Sequence, residues 1–254
     1  MADHQRFQSG DIAAAFTLLT RIPLPVDHQA AGKRAAEAVW AYPLVGAVLG
    51  AIAALVANFA LWLGVPVGIT AALTIFVLAL ATGALHEDGI ADCADGLAGG
   101  QTPQKRLSIM KDSRIGAYGA VALILVLLAR WSGVAALIET GSLFWPLIAV
   151  GTVSRLPMIA AMTLMEHARN DGLSASVGRP PAQSLGLALG ITLIILLISV
   201  GIVGLSLVLW VGLATLPLFL VAQRLIGGQT GDILGGSQQI GEVAALATTV
   251  ALLT

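Results

Sequence analysis

Two long stretches of this sequence carry no charge. Residues 38–85 and 182–223 contain no Asp, Glu, Lys or Arg over 48 and 42 positions. About 20 apolar residues in a helix cross a bilayer, so each stretch is long enough for a pair of spans. Only 11% of all residues are charged and 57% are hydrophobic, against about 25% charged in an ordinary soluble domain. So few charges cannot cover a water-soluble globule. The runs lack the alternation of barrel strands, and lipid offers no partners to backbone amides, so the spans are helical. The expected fold is an all-α polytopic integral membrane helical bundle. A net charge of -1 excludes a polyanion-binding surface, and with it nucleic acid as a partner; the single cysteine excludes a disulfide framework.

The charges fall into four clusters, at 3–37, 87–114, 166–179 and 224–242. Between them, apolar segments at 40–63, 66–85, 117–137, 144–165, 185–204 and 205–222 predict about six full transmembrane helices paired as three hairpins. The last stretch, 243–254, is too short to cross and is expected as a short, half-buried or packed apolar segment. No repeat or linker divides the chain, so residues 1–254 read as one membrane-embedded domain, with loops 1–38, 86–116, 166–184 and 224–242 on one side. Eleven of the thirteen Lys and Arg residues lie in the four clusters and none in the three opposite turns, which makes the loop side cytoplasmic. The opening residues 1–10 are polar and show no cleavable signal pattern. Two cations lie inside spans. Arg130 reads as a residue snorkelling toward an interface or pairing with Glu139. Arg155 sits near mid-span, where a charge costs about 2.5–3.5 kcal/mol on insertion scales, and is expected to be functional or paired.

The segment His-Glu-Asp-Gly-Ile-Ala-Asp-Cys-Ala-Asp-Gly at 86–96 concentrates the acidic residues. As a helix it places Asp88, Asp92 and Asp95 at i, i+4 and i+7, within about 60° of one another. Like charges so placed repel unless a cation sits among them. Hard oxygen ligands suit Mg²⁺ better than zinc, which prefers His and Cys; the bland alternative is a solvated acidic loop. Glu87 projects about 100° from the Asp face and is a weak ligand candidate. His86 reads as a general base, a substrate contact or an interfacial residue. Downstream, Lys105, Arg106, Lys111 and Arg114 place four cations within ten residues. Such a stretch contacts lipid headgroups or, beside a metal cluster, binds a phosphorylated substrate. The glycine-rich run at 227–236 lets backbone amides approach an anion, but lacks the Lys-Ser/Thr ending of a nucleotide P-loop.

Four separated stretches resemble the cobalamin synthase family of adenosylcobinamide-GDP ribazoletransferases: Phe-Thr-Leu-Leu-Thr-Arg-Ile-Pro-Leu-Pro at 16–25, the acidic motif at 86–96, Ile-Met-Lys-Asp-Ser-Arg-Ile-Gly at 109–116, and Gly-Gln-Thr-Gly-Asp at 228–232 with Gln238 and Gln239. The resemblance implies an integral membrane transferase of late cobalamin synthesis at the cell inner membrane, its active site facing the cytoplasm. Such an enzyme uses Mg²⁺ and joins α-ribazole, or its 5'-phosphate, to adenosylcobinamide-GDP with release of GMP. On this view Asp88, Asp92 and Asp95 bind metal, His86, Asp112 and Arg114 are the catalytic set, and Arg21, Lys111, Arg155, Thr230 and Asp232 contact substrate. Its partners are the GDP-activated corrinoid, α-ribazole and the lipid bilayer; a homo-oligomer is compatible with the sequence but not derivable from it. Asp-x-x-Asp-Gly at 92–96 also partly resembles CDP-alcohol phosphotransferases, but Gly99-Gly100 stands where those enzymes have Ala-Arg. A lipid synthase of that type and a membrane transporter are the rival readings. Transport is disfavoured because the acids crowd one face rather than the midplane of broken helices.

Overall fold

A computed structural model describes residues 8–25 and 27–253. Thirteen α-helices follow one another in them: α1 (Ser9–Leu19), α2 (His28–Lys33), α3 (Tyr42–Trp62), α4 (Val67–Thr82), α5 (Leu85–Gly99), α6 (Pro103–Met110), α7 (Ala117–Glu139), α8 (Phe144–Val153), α9 (Leu156–Leu164), α10 (Leu173–Val177), α11 (Ala182–Val200), α12 (Gly204–Ile226) and α13 (Gly231–Leu253). Among the described residues there is no strand beyond one isolated bridge between His167 and Gln229. The polar opening segment, expected to carry no cleavable signal, falls mostly on residues 1–7, outside the described residues.

Four continuous stretches are long and apolar enough to cross a membrane: Glu37–Trp62, Ala117–Glu139, Phe144–Leu164 and Ala182–Ile226. The bent pair α4 and α5 makes a fifth. Two places bear on the expectation of about six: one expected span bends into the next helix, and one long stretch holds two arms. The expected span at 66–85 ends at Gly83 and Ala84, both in left-handed backbone (φ 65° and 56°); the chain turns there by 89° into α5. The stretch 182–226 folds back on itself at Gly201, φ +65°. A Cβ on Gly204 would lie 2.6 Å from the Leu196 side chain, eight residues earlier, where a straight helix would hold the two about 12 Å apart. Its arms, α11 and α12, are the expected pair 185–204 and 205–222. Their outer faces, with those of α3 and α7, expose Leu55, Phe59, Ile124, Leu128, Ile194, Leu197, Leu209 and Leu220. Apolar surface of that extent faces lipid.

Two segments expected as cytoplasmic loops are helical. The segment 86–116 is mostly α5 and α6, and 224–242 is largely the first half of α13. The short C-terminal apolar segment expected at 243–254 is instead the second half of the same 23-residue helix. Its polar start hid it: Ser237, Gln238, Gln239 and Glu242 read as loop residues, yet all four are buried. Each finds a partner inside the bundle, which removes the penalty for burying it. Gly235, Gly236 and Gly241 let α13 pack closely, against α5, α7, α8, α9 and α12. Helices α3 and α8 approach closest. A Cβ on Gly46 would fall 2.0 Å from the Gly151 carbonyl oxygen, and one on Gly50 would fall 2.3 Å from that of Leu147. Close backbone approach of this kind holds helices together where lipid supplies no hydrophobic drive.

A layer of charge lies inside the bundle. Arg130 of α7, 2% exposed, donates Nε to Glu242 Oε1 at 2.8 Å and Nη1 to Glu87 Oε1 at 2.7 Å and Gln239 Oε1 at 3.1 Å. Gln238 donates to Glu242 Oε2 at 2.7 Å and to Ser154 Oγ at 3.3 Å. The expected pairing of Arg130 with Glu139, or its snorkelling to an interface, is thus replaced by a three-helix ion network. Arg155 stands at the break between α8 and α9 and donates Nη1 to Ser154 Oγ at 2.8 Å and to the Gly151 carbonyl at 3.1 Å. It was expected to be functional or paired; its partners are neutral, and the two carboxylates act on it only through space.

Candidate active site

Helices α5 and α13 touch backbone to backbone. A Cβ on Gly89 would lie 2.9 Å from Gly235 Cα and 3.0 Å from the Asp232 carbonyl oxygen. Because both positions are glycine, side chains flanking the contact share one space: Asp88 and Asp92 from α5 and Asp232 from the first turn of α13. Asp92 feels the charges of Asp88, Asp232 and Asp95. Thr230 donates to Asp232 Oδ2 at 3.1 Å while its hydroxyl accepts the Ile233 amide at 3.3 Å; it caps α13 and orients the carboxylate in one arrangement. Arg169, in the turn after α9, donates Nη2 to Asp232 Oδ2 at 3.2 Å.

These groups open into a pocket of about 110 Å³ lined by His86, Asp88, Arg169 and Asp232, with Leu18, Leu19, Tyr42 and Met162 among its apolar walls. That volume holds a few waters or a phosphate group and is well below the ~300 Å³ of ordinary ligand pockets. His86 is 2% exposed and its Nε2 has no hydrogen-bond partner. A second, open cleft of about 510 Å³ runs between α6 and the turn holding Arg169, lined by Gln104, Leu107, Ser108, Lys111, Arg169, Asn170 and Asp171. Lys111 is ion-paired with Asp171 there. Arg169 lines both spaces.

The three aspartates of the acidic motif part company. Asp95 is buried and accepts the amides of Gly116 at 2.7 Å and Gly119 at 2.9 Å, one on each oxygen. It thereby satisfies two of the orphan donors at the start of α7. A Cβ on Gly119 would fall 2.2 Å from the Asp95 carboxylate. Asp95, expected as a metal ligand, has both carboxylate oxygens engaged in capping the start of α7. Among the described residues no three His, Cys, Asp or Glu side chains stand close enough together to hold a metal ion by themselves. Asp232 joins Asp88 at the pocket, which Asp95 does not line.

Asp112 and Arg114, expected to be catalytic, close on each other at the surface. Arg114 donates Nη2 at 2.6 Å and Nε at 3.0 Å to the Asp112 carboxylate. That guanidinium holds the Asp112 carboxyl down at about 2. Neither residue lines the pocket or the cleft. Arg21, expected at substrate, donates its amide to the Ala81 carbonyl at 2.7 Å and lays its side chain over Gly83; it braces the bend between α4 and α5. Arg155, expected likewise, is buried and bonded to the Ser154 hydroxyl and the Gly151 carbonyl. Cys93, given no zinc role, packs against Gly236.

Arg169, Glu87 and Glu242 were missed. A signal existed for the glutamates, since Arg130 inside a span demands a buried counter-ion. Glu87 was set aside for projecting away from the Asp face, and that direction is the one that meets α7. Nothing in the spacing singled out Arg169 within its loop.

Four stretches far apart in sequence thus meet here: Leu18 and Leu19, His86 and Asp88, and Gly231 and Asp232 at the pocket, with Lys111 at the cleft. A model of the cobalamin-5-phosphate synthase family matches residues 11–250. The chain belongs to this family. An adenosylcobinamide-GDP ribazoletransferase from Bradyrhizobium diazoefficiens is 42% identical over 245 residues, covering 95% of this chain and 93% of that protein. Proteins of the same name from Brucella anthropi and Mesorhizobium japonicum are 41% and 40% identical, covering 96% and 93% of this chain and 97% and 91% of theirs. No solved structure matches. The cobalamin-5-phosphate synthase match takes in the pocket, the cleft and the buried ion network together, since all their residues lie within 11–250.

Proposed function

We propose that this chain joins α-ribazole, free or 5'-phosphorylated, to adenosylcobinamide-GDP, releasing GMP. A ribose hydroxyl oxygen forms a bond to the cobinamide-side phosphorus; the bridging P–O bond breaks and its electrons leave with GMP. The observation that carries the reading is the convergence of Asp88 and Asp232 from two helices at a pocket of phosphate size, with Asp92 near enough to feel both charges, in a chain of this family. Carboxylates crowded in this way suit Mg²⁺: they supply two or three hard oxygens and leave the remaining positions to water and diphosphate oxygens. When bound, the ion would neutralise charge that builds on the diphosphate during transfer.

The chain's own groups supply the rest. His86 lines the pocket and has a buried, unpartnered Nε2, which makes it the acceptor we assign to the hydroxyl proton. Apolar walls from α1, α3 and α9 exclude water that would otherwise hydrolyse the diphosphate. The pocket is of phosphate size, so we assign the corrin and guanosine to the open cleft and beyond. The enzyme sits in the cytoplasmic membrane with cleft and pocket facing the cytoplasm, a reading supported by the partition of Lys and Arg. The test is turnover by purified protein in lipid nanodiscs, with and without Mg²⁺. Metal-dependent formation of GMP and the cobalamin product is expected; turnover of CDP-diacylglycerol instead would replace this reading with the lipid-synthase one. For orientation, Gln104→Cys in the cleft should resist an impermeant thiol reagent in intact cells and react after lysis. Native Cys93 is buried and contributes little background.

A further inference from the structure

The carboxylate pocket and the basic cleft are separate spaces, and one side chain borders both. Arg169 reaches Asp232 at 3.2 Å with Nη2 and lies 3.6 Å from Asp171 with Nε. Its third nitrogen, Nη1, is buried and has no hydrogen-bond partner. An unmade bond on a buried guanidinium costs more than on a neutral group, so such an N–H is poised for an acceptor. An anionic acceptor gains most there, and the cleft, which Arg169 lines beside Lys111, is the open route to it. Asp171, exposed and paired with Lys111, occupies both cations from the solvent side.

We propose that Arg169 is a diphosphate-binding residue: its free Nη1, with Lys111, takes the non-bridging oxygens of the leaving nucleotide's phosphate, while Nη2 keeps Asp232 aligned at the pocket. Asp171 is then a resident competitor that the incoming diphosphate displaces. Arginine rather than lysine is required, because one planar group must serve a carboxylate on one side and a phosphate on the other. The inference rests on the activity proposed above and names the residue that grips its diphosphate.

The experiment uses the full chain in nanodiscs and two measurements. Kinetics are taken with each substrate varied in turn, and binding of Mg²⁺-pyrophosphate is followed by calorimetry. Arg169→Lys should raise KM for adenosylcobinamide-GDP and Kd for pyrophosphate by about tenfold or more, the weight of a charge-assisted bond, with KM for α-ribazole unchanged. Asp171→Asn should act in the opposite sense, tightening pyrophosphate binding by about threefold, the scale of an exposed ion pair. A residue that only braces the loop would not tighten binding on losing a neighbour. Arg179→Lys, the same change at an arginine bordering neither space, should match wild type in both. Unchanged pyrophosphate affinity in Arg169→Lys and Asp171→Asn overturns the proposal, as does an equal rise in both KM values with wild-type pyrophosphate binding. Should wild type fail to turn over the corrinoid substrate, the activity reading falls, and calorimetry still decides the role of Arg169.

Discussion

Replacing Arg130 by Met deletes the cation at the centre of the bundle and leaves Glu87 and Glu242 facing each other. Both carboxylates are less than 10% exposed, so water does not reach them. Arg130 supplies three charge-assisted hydrogen bonds, to Glu242, Glu87 and Gln239. The other cation near the two glutamates is Arg155, which acts on them only through space. Removing one partner of a buried ion pair costs about 3–5 kcal/mol; two stranded carboxylates place the loss toward the upper end, and the remote Arg155 offsets part of it. At about 2–4 °C per kcal/mol for a chain of this size, the midpoint of heat-induced loss of the monodisperse peak in detergent should fall by on the order of 10 °C. The triple variant Glu87→Gln, Arg130→Met, Glu242→Gln removes all three charges and should recover most of that loss, since a neutral set of similar shape avoids the stranded charge. Because the network ties α5 and α13 to α7, turnover should fall with stability in the single variant. A single variant within 2 °C of wild type, or a triple variant no more stable than the single, would refute the argument that charge pairing holds these helices.

Three further outcomes follow from the geometry. Asp92→Asn should abolish turnover while leaving the size-exclusion profile and melting midpoint intact, because the amide keeps the shape and removes a charge proposed to hold Mg²⁺; Asp95→Asn should instead lower the midpoint, by about 1–3 kcal/mol equivalent, as an acceptor is lost from a buried helix cap. Gly151→Leu should prevent folding into a monodisperse species, since even a Cβ there would fall 2.3 Å from the Gly46 carbonyl; Gly186→Leu, at a site with open space, should be tolerated. The Asp112 carboxyl, held at about 2 by Arg114 rather than at its ordinary 3.8, keeps its proton off until pH nears 2. The Asp112–Arg114 pair is thus fully formed above the ordinary value and is lost only as pH falls through about 2, so Asp112→Asn should leave the pH–rate profile unmoved between pH 5 and 8.

The parts legible in the sequence were those governed by the solvent. Long apolar runs locate α3, α7, α8 with α9, and the α11–α12 pair, because lipid tolerates no alternative to helix there. What the runs could not show is helix whose polarity is satisfied by other helices. Glu242 reads as a loop residue until Arg130, 112 residues away, is placed beside it; the same holds for Gln238 and Gln239, and through them for α13. The acidic motif was legible as a helix with three aspartates on one face, but the neighbour of each aspartate was not. The start of α7 meets that face at Asp95 and claims it as a cap, while α13 brings Asp232 to Asp88 and Asp92. The exchange of Asp95 for Asp232 follows from two glycine contacts, Gly89 on Gly235 and Gly119 on Asp95. Glycine therefore decides in this protein which carboxylates meet: where two backbones can touch, the side chains beside them are forced into one space, and where they cannot, an aspartate on the right face finds only a helix end.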